Sequence, residues 1–228
     1  WFTYAGGSGA ESSRGRGPVL RGVSFEIREG EMGAIVGATG AGKTTILSLL
    51  CRLYEIERGR ILLFGKDIRE IPREELRGRI SLVLQDPFLF SGSIRENVEA
   101  GGPAVEAAVA AAGVAGFAGG WEEGLSTAVG ERGGRLSVGQ RQLVAFARAL
   151  ARNPDVLLLD EATSSVDPIA ESEIRKALVN ILSGRTSLVV AHRLSTILSA
   201  DRIIVLHKGK VRETGTHREL METDGIYR

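Results

Sequence analysis

Nine consecutive residues carry a pattern that binds phosphate. An apolar run, Met32–Val36, precedes them and a helical pattern follows, and strand, glycine loop and helix in this order are typical of a phosphate-binding loop. The glycines let backbone N–H groups approach an anion, and the helix N-terminus adds about half a positive charge. We expect Lys43 to reach the β- and γ-phosphates of a nucleotide and the Thr44 hydroxyl to bind Mg²⁺. A glycine-rich turn without a ligand is the alternative that this context disfavours. The loop residues are Gly37, Ala38, Thr39, Gly40, Ala41, Gly42, Lys43, Thr44 and Thr45.

Two adjacent carboxylates follow a second apolar run, Val156–Leu159. An uninterrupted apolar run is typical of a strand buried on both faces, so Asp160 is predicted at the carboxyl end of such a strand. There Asp160 would hold Mg²⁺, directly or through water, and Glu161 would polarise an attacking water molecule. Two neighbouring carboxylates at such a place are costly unless a cation offsets their charge. The alternative, a surface acidic pair, fits poorly with the four apolar residues before it.

Composition narrows the class of protein. The chain has 228 residues, 29 of them basic and 28 acidic, giving a formal net charge of +1. This balance disfavours nucleic acid as a partner, since such proteins usually show a strong basic excess. The single cysteine, Cys51, excludes an internal disulfide. The chain starts at Trp1 rather than methionine, and we expect it to be part of a longer polypeptide.

The order of elements predicts an α/β fold. Strands that alternate with helices indicate a mainly parallel sheet, whereas the middle of the chain reads as helical. In that middle part Ser137 and Gln140 have the spacing of a helix capping box. Apolar and polar residues alternate over Val23–Ile27, which predicts a half-buried strand. The glycines of Gly113–Gly124 predict a glycine-punctuated connection between helical segments.

Several segments together resemble the nucleotide-binding domain of an exporter-type ATP-binding cassette (ABC) transporter, from about Phe2 to Tyr227. Leu136–Gln140 reads LSVGQ and is similar to the family's LSGGQ signature, with Val138 where the family has glycine. The other matching segments are Gln85–Val98, similar to the exporter Q-loop, Val129–Gly133, similar to the X-loop, Ser164–Asp167, similar to the D-loop, and His192, at the place of the switch histidine.

The resemblance implies a fold with three parts. These are a P-loop NTPase core with a mainly parallel sheet, an N-terminal antiparallel β subdomain and an inserted α-helical subdomain. Core and β subdomain would comprise about 1–86 and 154–228 of a single domain, and the helical subdomain about 87–153.

The resemblance also implies roles for individual residues. Glu161, His192 and Lys43 would be catalytic. Gln85 would contact nucleotide and Mg²⁺. Tyr4 would stack on adenine, although an aromatic of the core remains the alternative for it.

The same resemblance implies ATP hydrolysis shared between two chains. Ser137, Gly139 and Gln140 would complete the ATP site of a second nucleotide-binding domain. Because Val138 alters the signature while the other motifs are intact, a heterodimer is slightly favoured over a homodimer. Membrane-spanning domains are expected before Trp1, with this domain at the cytoplasmic face of a membrane, powering export.

Three alternatives share the cassette. A DNA-maintenance ATPase would carry a long coiled coil or a zinc insertion between Lys43 and Asp160, and no sustained heptads occur there. A regulatory domain that binds ATP without turnover is disfavoured by Glu161 and His192. An importer ATPase is disfavoured by the exporter-like Q-loop and X-loop segments.

Overall fold

The computed structural model describes residues 1–4, 18–160 and 168–228. They form two compact units, of which the first comprises Trp1–Arg77 and Leu188–Arg228 and the second Gly78–Ser187. The domain boundaries that the sequence suggests stay a prediction.

Strands and helices alternate over much of the chain. No helix among the described residues has the length and hydropathy needed to cross a bilayer. The strands are β1 (Met32–Val36), β2 (Leu62–Leu63), β3 (Lys66–Asp67), β4 (Ile80–Val83), β5 (Val156–Asp160), β6 (Thr186–Val190), β7 (Arg202–His207) and β8 (Lys210–Gly215). The helices are α1 (Lys43–Leu50), α2 (Arg73–Arg79), α3 (Ile94–Glu99), α4 (Val105–Ala111), α5 (Val114–Ala118), α6 (Val138–Leu150), α7 (Pro168–Leu182), α8 (Leu194–Leu198) and α9 (His217–Glu222).

The first unit contains four neighbouring strands in the order β6, β1, β7 and β8. Of β6, only the residues from Leu188 onward belong to this unit. β1 and β7 pair in parallel, with Ala34 opposite Ile203 and Ile35 opposite Ile204. All four of these side chains are fully buried. This explains the continuous apolar runs in the sequence, because parallel strands covered on both faces need no polar alternation.

The β7–β8 hairpin reaches back to the phosphate loop. Its turn, Lys208–Gly209, has positive φ at both residues (48° and 74°), as a type I′ hairpin turn requires. The Gly209 N–H donates to the Ala41 carbonyl at 3.1 Å, and the Gly209 carbonyl accepts from the Arg21 N–H at 2.7 Å. A Cβ at Gly209 would lie 2.0 Å from the Val19 carbonyl oxygen, so only glycine fits between these segments.

Antiparallel pairing in the first unit joins β2 to β3 and Phe2 to Leu20. The strand predicted over Val23–Ile27 keeps its alternating exposure but forms no ladder with any described strand. Ile27 instead packs over β1, where a Cβ at Gly33 would lie 2.4 Å from the Ile27 side chain. The alternation therefore reports a half-buried extended segment rather than a paired strand.

The second unit combines two parallel strands with a group of helices. β4 and β5 run side by side, with Ile80 opposite Val156 and Val83 opposite Leu159. α6 is the central helix and contacts α3, α4, α5 and α7.

The connection predicted for Gly113–Gly124 is partly wrong, because α5 forms within it. Gly113 has φ 72° and begins the helix in a left-handed conformation. Val114 and Ala118 are then buried on one side of the helix, which outweighs the low helix propensity of Gly116.

Candidate functional site

The phosphate loop connects β1 to α1 in the first unit. Gly37 has φ 152°, and a Cβ there would lie 2.1 Å from the Leu206 carbonyl oxygen. Gly42 has φ 106°, and its Cβ would lie 2.7 Å from the Leu20 side chain. By contrast, no atom of the described residues lies within 4 Å of a Cβ at Gly40. The loop is therefore packed against the protein at both ends and open in the middle, with residues 37–40 exposed.

Lys43 begins α1, and its side chain is folded into this loop. The ammonium group donates to the Gly37 carbonyl at 2.7 Å and to the Ala38 carbonyl at 3.1 Å, and the residue is only 7% exposed. The first turn of α1, all of it described, contains no acidic residue. The positive end of the helix dipole and the ammonium charge therefore coincide at the open part of the loop, which fits a phosphate group.

The two threonines after Lys43 have different surroundings. Thr44 is exposed, whereas Thr45 is 6% exposed and its hydroxyl lies 3.0 Å from the Tyr4 hydroxyl. Tyr4 is 41% exposed, so it is a surface aromatic beside the first turn of α1 rather than part of the core. This position suits a stacking platform, which stays a prediction.

His192 follows β6 in the first unit. The N–H of Ala191 donates to the Ile35 carbonyl at 3.1 Å, which places this strand end beside the end of β1 that leads into the phosphate loop. The side chain of His192 is exposed. The sequence predicts that His192 follows a buried strand, and the hydrogen bond shows that this strand ends beside β1.

Gln85 and Asp160 come together at one edge of the second unit. Val83, the last residue of β4, lies opposite Leu159 in a parallel pair, and Asp160 is the last residue of β5. Leu84 and Gln85, which follow β4, therefore lie at the same edge of the sheet as Asp160. Asp160 is 7% exposed and Gln85 is exposed. Glu161, predicted as the catalytic base, and Ser164–Asp167, similar to the D-loop, lie outside the described residues.

The signature segment caps α6 as the sequence predicts. The Ser137 hydroxyl accepts from the Gln140 N–H at 3.2 Å, and the Gln140 side-chain oxygen accepts from the Ser137 N–H at 2.9 Å. Val138 is the first residue of α6, and its side chain is 46% exposed. The valine therefore projects from the surface at the helix N-terminus and leaves the capping box intact.

Gly139 lets α6 approach α7 closely. A Cβ at this position would lie 2.8 Å from the Cβ of Ala170.

We expect Gly139→Ala to lower the free energy of unfolding by about 1–3 kcal/mol, because the added methyl overpacks the contact between α6 and α7. Gly116→Ala is the matched control. Gly116 lies in the middle of α5, and no part of the chain that the structure describes lies within 4 Å of a Cβ there, so this variant should raise the free energy of unfolding by about 0.5–1 kcal/mol. Urea-induced unfolding measures both, and equal effects of the two variants would contradict the close packing.

Arg148 and Asn97 hold the segment after Gln85, and sequence reasoning missed this. The Arg148 guanidinium donates to the Asn97 backbone carbonyl (3.1 Å), to the Asn97 side-chain oxygen (3.0 Å) and to the Phe88 carbonyl (2.9 Å), and it lies over the Phe90 ring. Asn97, 1% exposed, also bonds both backbone groups of Phe90. Burial lowers the pKa of Arg148, which stays charged. The only sequence signal was an arginine and an asparagine among predicted helical residues.

The strand–loop–helix cradle with its inward lysine, and the carboxylate at the end of a buried strand, are features of a P-loop nucleotide-binding domain. The sequence profile of the ABC transporter family matches residues 20–164. The chain belongs to this family and is an ATP-binding domain of its exporter type.

Individual relatives agree with this assignment. The chain is 46% identical over 215 residues to an ATP-dependent lipid A-core flippase of Chromobacterium violaceum, covering 92% of this chain and 37% of that protein. It is 46% identical over 217 residues to multidrug resistance protein 1 of Entamoeba histolytica, covering 92% of this chain and 17% of that protein. The chain therefore spans well under half the length of these relatives.

A solved structure confirms the fold class. The structure of a bacterial Atm1-family ABC exporter with ATP bound superposes with a TM-score of 0.85 at 42% identity, covering 96% of this chain and 39% of that chain. The α/β fold with a mainly parallel sheet, antiparallel strands and a helical region, predicted from the sequence, is confirmed.

Proposed function

We propose that this chain hydrolyses ATP in a Mg²⁺-dependent reaction and thereby powers export across a membrane. The observation that carries the proposal is the Lys43 ammonium, held by two carbonyls inside an open loop at a helix N-terminus. A cation so placed offsets the charge of a triphosphate and holds it at one end of the site.

We further propose Mg²⁺ as the cofactor, because the chemistry of the side chains assigned to it suits this ion. Thr44 offers an exposed hydroxyl, Asp160 a carboxylate at a strand end and Gln85 an amide oxygen near that strand end. Oxygen ligands of this kind, with one carboxylate and the nucleotide's phosphates, are what Mg²⁺ prefers. When bound, Mg²⁺ neutralises charge on the phosphate oxygens.

Side chains of this chain activate the attacking water molecule and stabilise the charge that develops during the reaction. Glu161 orients and polarises the attacking water molecule. Lys43 stabilises the charge that develops on the transferred phosphoryl group. His192 follows the strand beside β1 and acts close to the same group. Positioning and electrostatic stabilisation account for most of the catalysis in phosphoryl transfer.

A second nucleotide-binding domain completes the site in this proposal. The capped N-terminus of α6, with Ser137, Gly139 and Gln140, contacts the ATP held by the partner domain. Val138 crowds that contact because its exposed side chain stands at the first position of the helix. This favours a heterodimer in which the present chain supplies the intact catalytic residues. An active symmetric transporter formed by the purified full-length protein alone would contradict the heterodimer.

Transmembrane domains are further proposed partners, and they place this domain at the cytoplasmic face of a membrane. The lengths and names of the relatives support this, since one is called a flippase and another a multidrug resistance protein. Phe88 and Phe90, each about half exposed and in edge-to-face contact, lie on the segment that Arg148 ties to α6. That segment is suited to relay movements of the signature helix to a membrane domain.

The test is phosphate release from ATP by the intact protein, with and without Mg²⁺. The proposal predicts hydrolysis with Mg²⁺ and its loss when EDTA removes the metal, because the metal's share in offsetting the charge on the triphosphate is then missing. Restored hydrolysis on adding excess Mg²⁺ is the control. Phosphate release that persists unchanged in EDTA would contradict the proposed reaction.

A further inference from the structure

A hydroxyl–hydroxyl contact joins Tyr4 to the phosphate-loop helix. The Tyr4 and Thr45 oxygens are 3.0 Å apart, and Thr45 lies two residues after Lys43 in α1. Thr45 as a residue is only 6% exposed, so its side chain has little access to water, and Tyr4 supplies a hydrogen-bond partner for its hydroxyl. The ring of Tyr4 is thereby connected directly to the helix that starts at the phosphate cradle.

The rest of the Tyr4 ring is held by other aromatic rings. It makes edge-to-face contacts with Phe2, at a centroid distance of 4.9 Å, and with Tyr54, at 5.1 Å. Phe2 is 3% exposed and exchanges two backbone hydrogen bonds with Leu20. The Tyr4 side chain is therefore held both by its neighbouring rings and by its hydroxyl.

We propose that Thr45 is a positioning residue for the nucleotide base. By holding the Tyr4 hydroxyl, Thr45 fixes the distance and orientation of the Tyr4 ring relative to the phosphate loop. The loop and the ring then favour a ligand that carries a planar base and a triphosphate together over a bare triphosphate. This inference rests on the proposed function, namely that ATP binds at this loop with its base at Tyr4.

The energetic expectation follows from the size of one hydrogen bond. Tyr4→Phe and Thr45→Val each remove one of the two hydroxyls and should weaken MgATP binding by about 3- to 10-fold. The double variant should be no weaker than either single variant, because both changes remove the same interaction. Thr45→Ser keeps the hydroxyl and should weaken MgATP binding less than Thr45→Val does.

The experiment measures the dissociation constants of MgATP and of magnesium tripolyphosphate with the intact protein by titration calorimetry. Tripolyphosphate has no base, so Tyr4→Phe should weaken MgATP binding and leave tripolyphosphate binding unchanged. Tyr227→Phe is the matched control: the Tyr227 hydroxyl bonds His217 at 2.8 Å elsewhere in the same unit, and its loss should affect neither ligand.

Three results would overturn the inference. The first is a double variant whose loss of MgATP affinity equals the product of the two single losses. The second is a Tyr4→Phe variant that loses as much affinity for tripolyphosphate as for MgATP. The third is a Thr45→Ser variant that binds MgATP as weakly as Thr45→Val does. If Thr45→Val does not fold, Tyr4→Phe and Thr45→Ser still decide the question. A wild-type protein that binds no ATP would refute the proposed function, whereas normal binding that no variant changes would refute only this inference.

Discussion

Lys43→Met is expected to weaken ATP binding by about 10- to 150-fold, the loss of charge-assisted hydrogen bonds to a ligand. Methionine keeps most of the buried aliphatic stem but removes the ammonium that now bonds the Gly37 and Ala38 carbonyls. The loop would then present carbonyl oxygens to the phosphates without a cation between them. Nucleotide titration of the intact protein measures the effect.

Lys66→Met is the control for this prediction. Lys66 is an exposed lysine of β3 in the same unit, so the variant removes the same charge from the surface. ATP affinity should stay at the wild-type value. An equal loss in both variants would attribute the effect to net charge rather than to the ammonium in the loop.

Glu161→Gln is expected to leave ATP binding intact while lowering turnover at least about 10²-fold, the scale for removing one electrostatic stabiliser of a transition state. Glutamine has the size and shape of glutamate, so the site should still accept the nucleotide. It has no negative charge, however, and an amide oxygen is a poor base for polarising water. Steady-state phosphate release and ATP titration measure the two quantities.

Glu173→Gln is the matched control, since Glu173 is an exposed residue of α7 in the same unit. Its turnover should equal that of the wild type. Near-normal turnover in Glu161→Gln would reject Glu161 as the catalytic base and direct attention to His192.

The features that the sequence predicted well are those whose signals are local. The strand before the phosphate loop is continuously apolar, and β1 spans the predicted residues. The Ser137–Gln140 capping box depends on two side chains three residues apart, so its geometry follows from spacing alone. The helix α5 was missed because Gly113 and Gly116 argue locally against a helix, and its stability comes from burial of Val114 and Ala118.

The parts of the site that sequence could not show depend on contacts between distant residues. Arg148 bonds Asn97, which lies 51 positions earlier, and Tyr4 bonds Thr45 across 41 positions. No periodicity or spacing reports such contacts, since they exist only after the chain has folded. The sequence could therefore suggest that Tyr4 stacks on a base, but not what holds its ring.

The measurement that tests the central claim most directly is a single-turnover assay with acid quench. MgATP, at less than the concentration of the intact protein, is incubated with the wild type or with Glu161→Gln, and the nucleotide is identified after quenching. If this chain hydrolyses ATP through its own phosphate loop and Glu161, the wild type yields ADP and the variant yields unchanged bound ATP. No ADP from the wild type, or ADP formed by the variant at the wild-type rate, would contradict that claim.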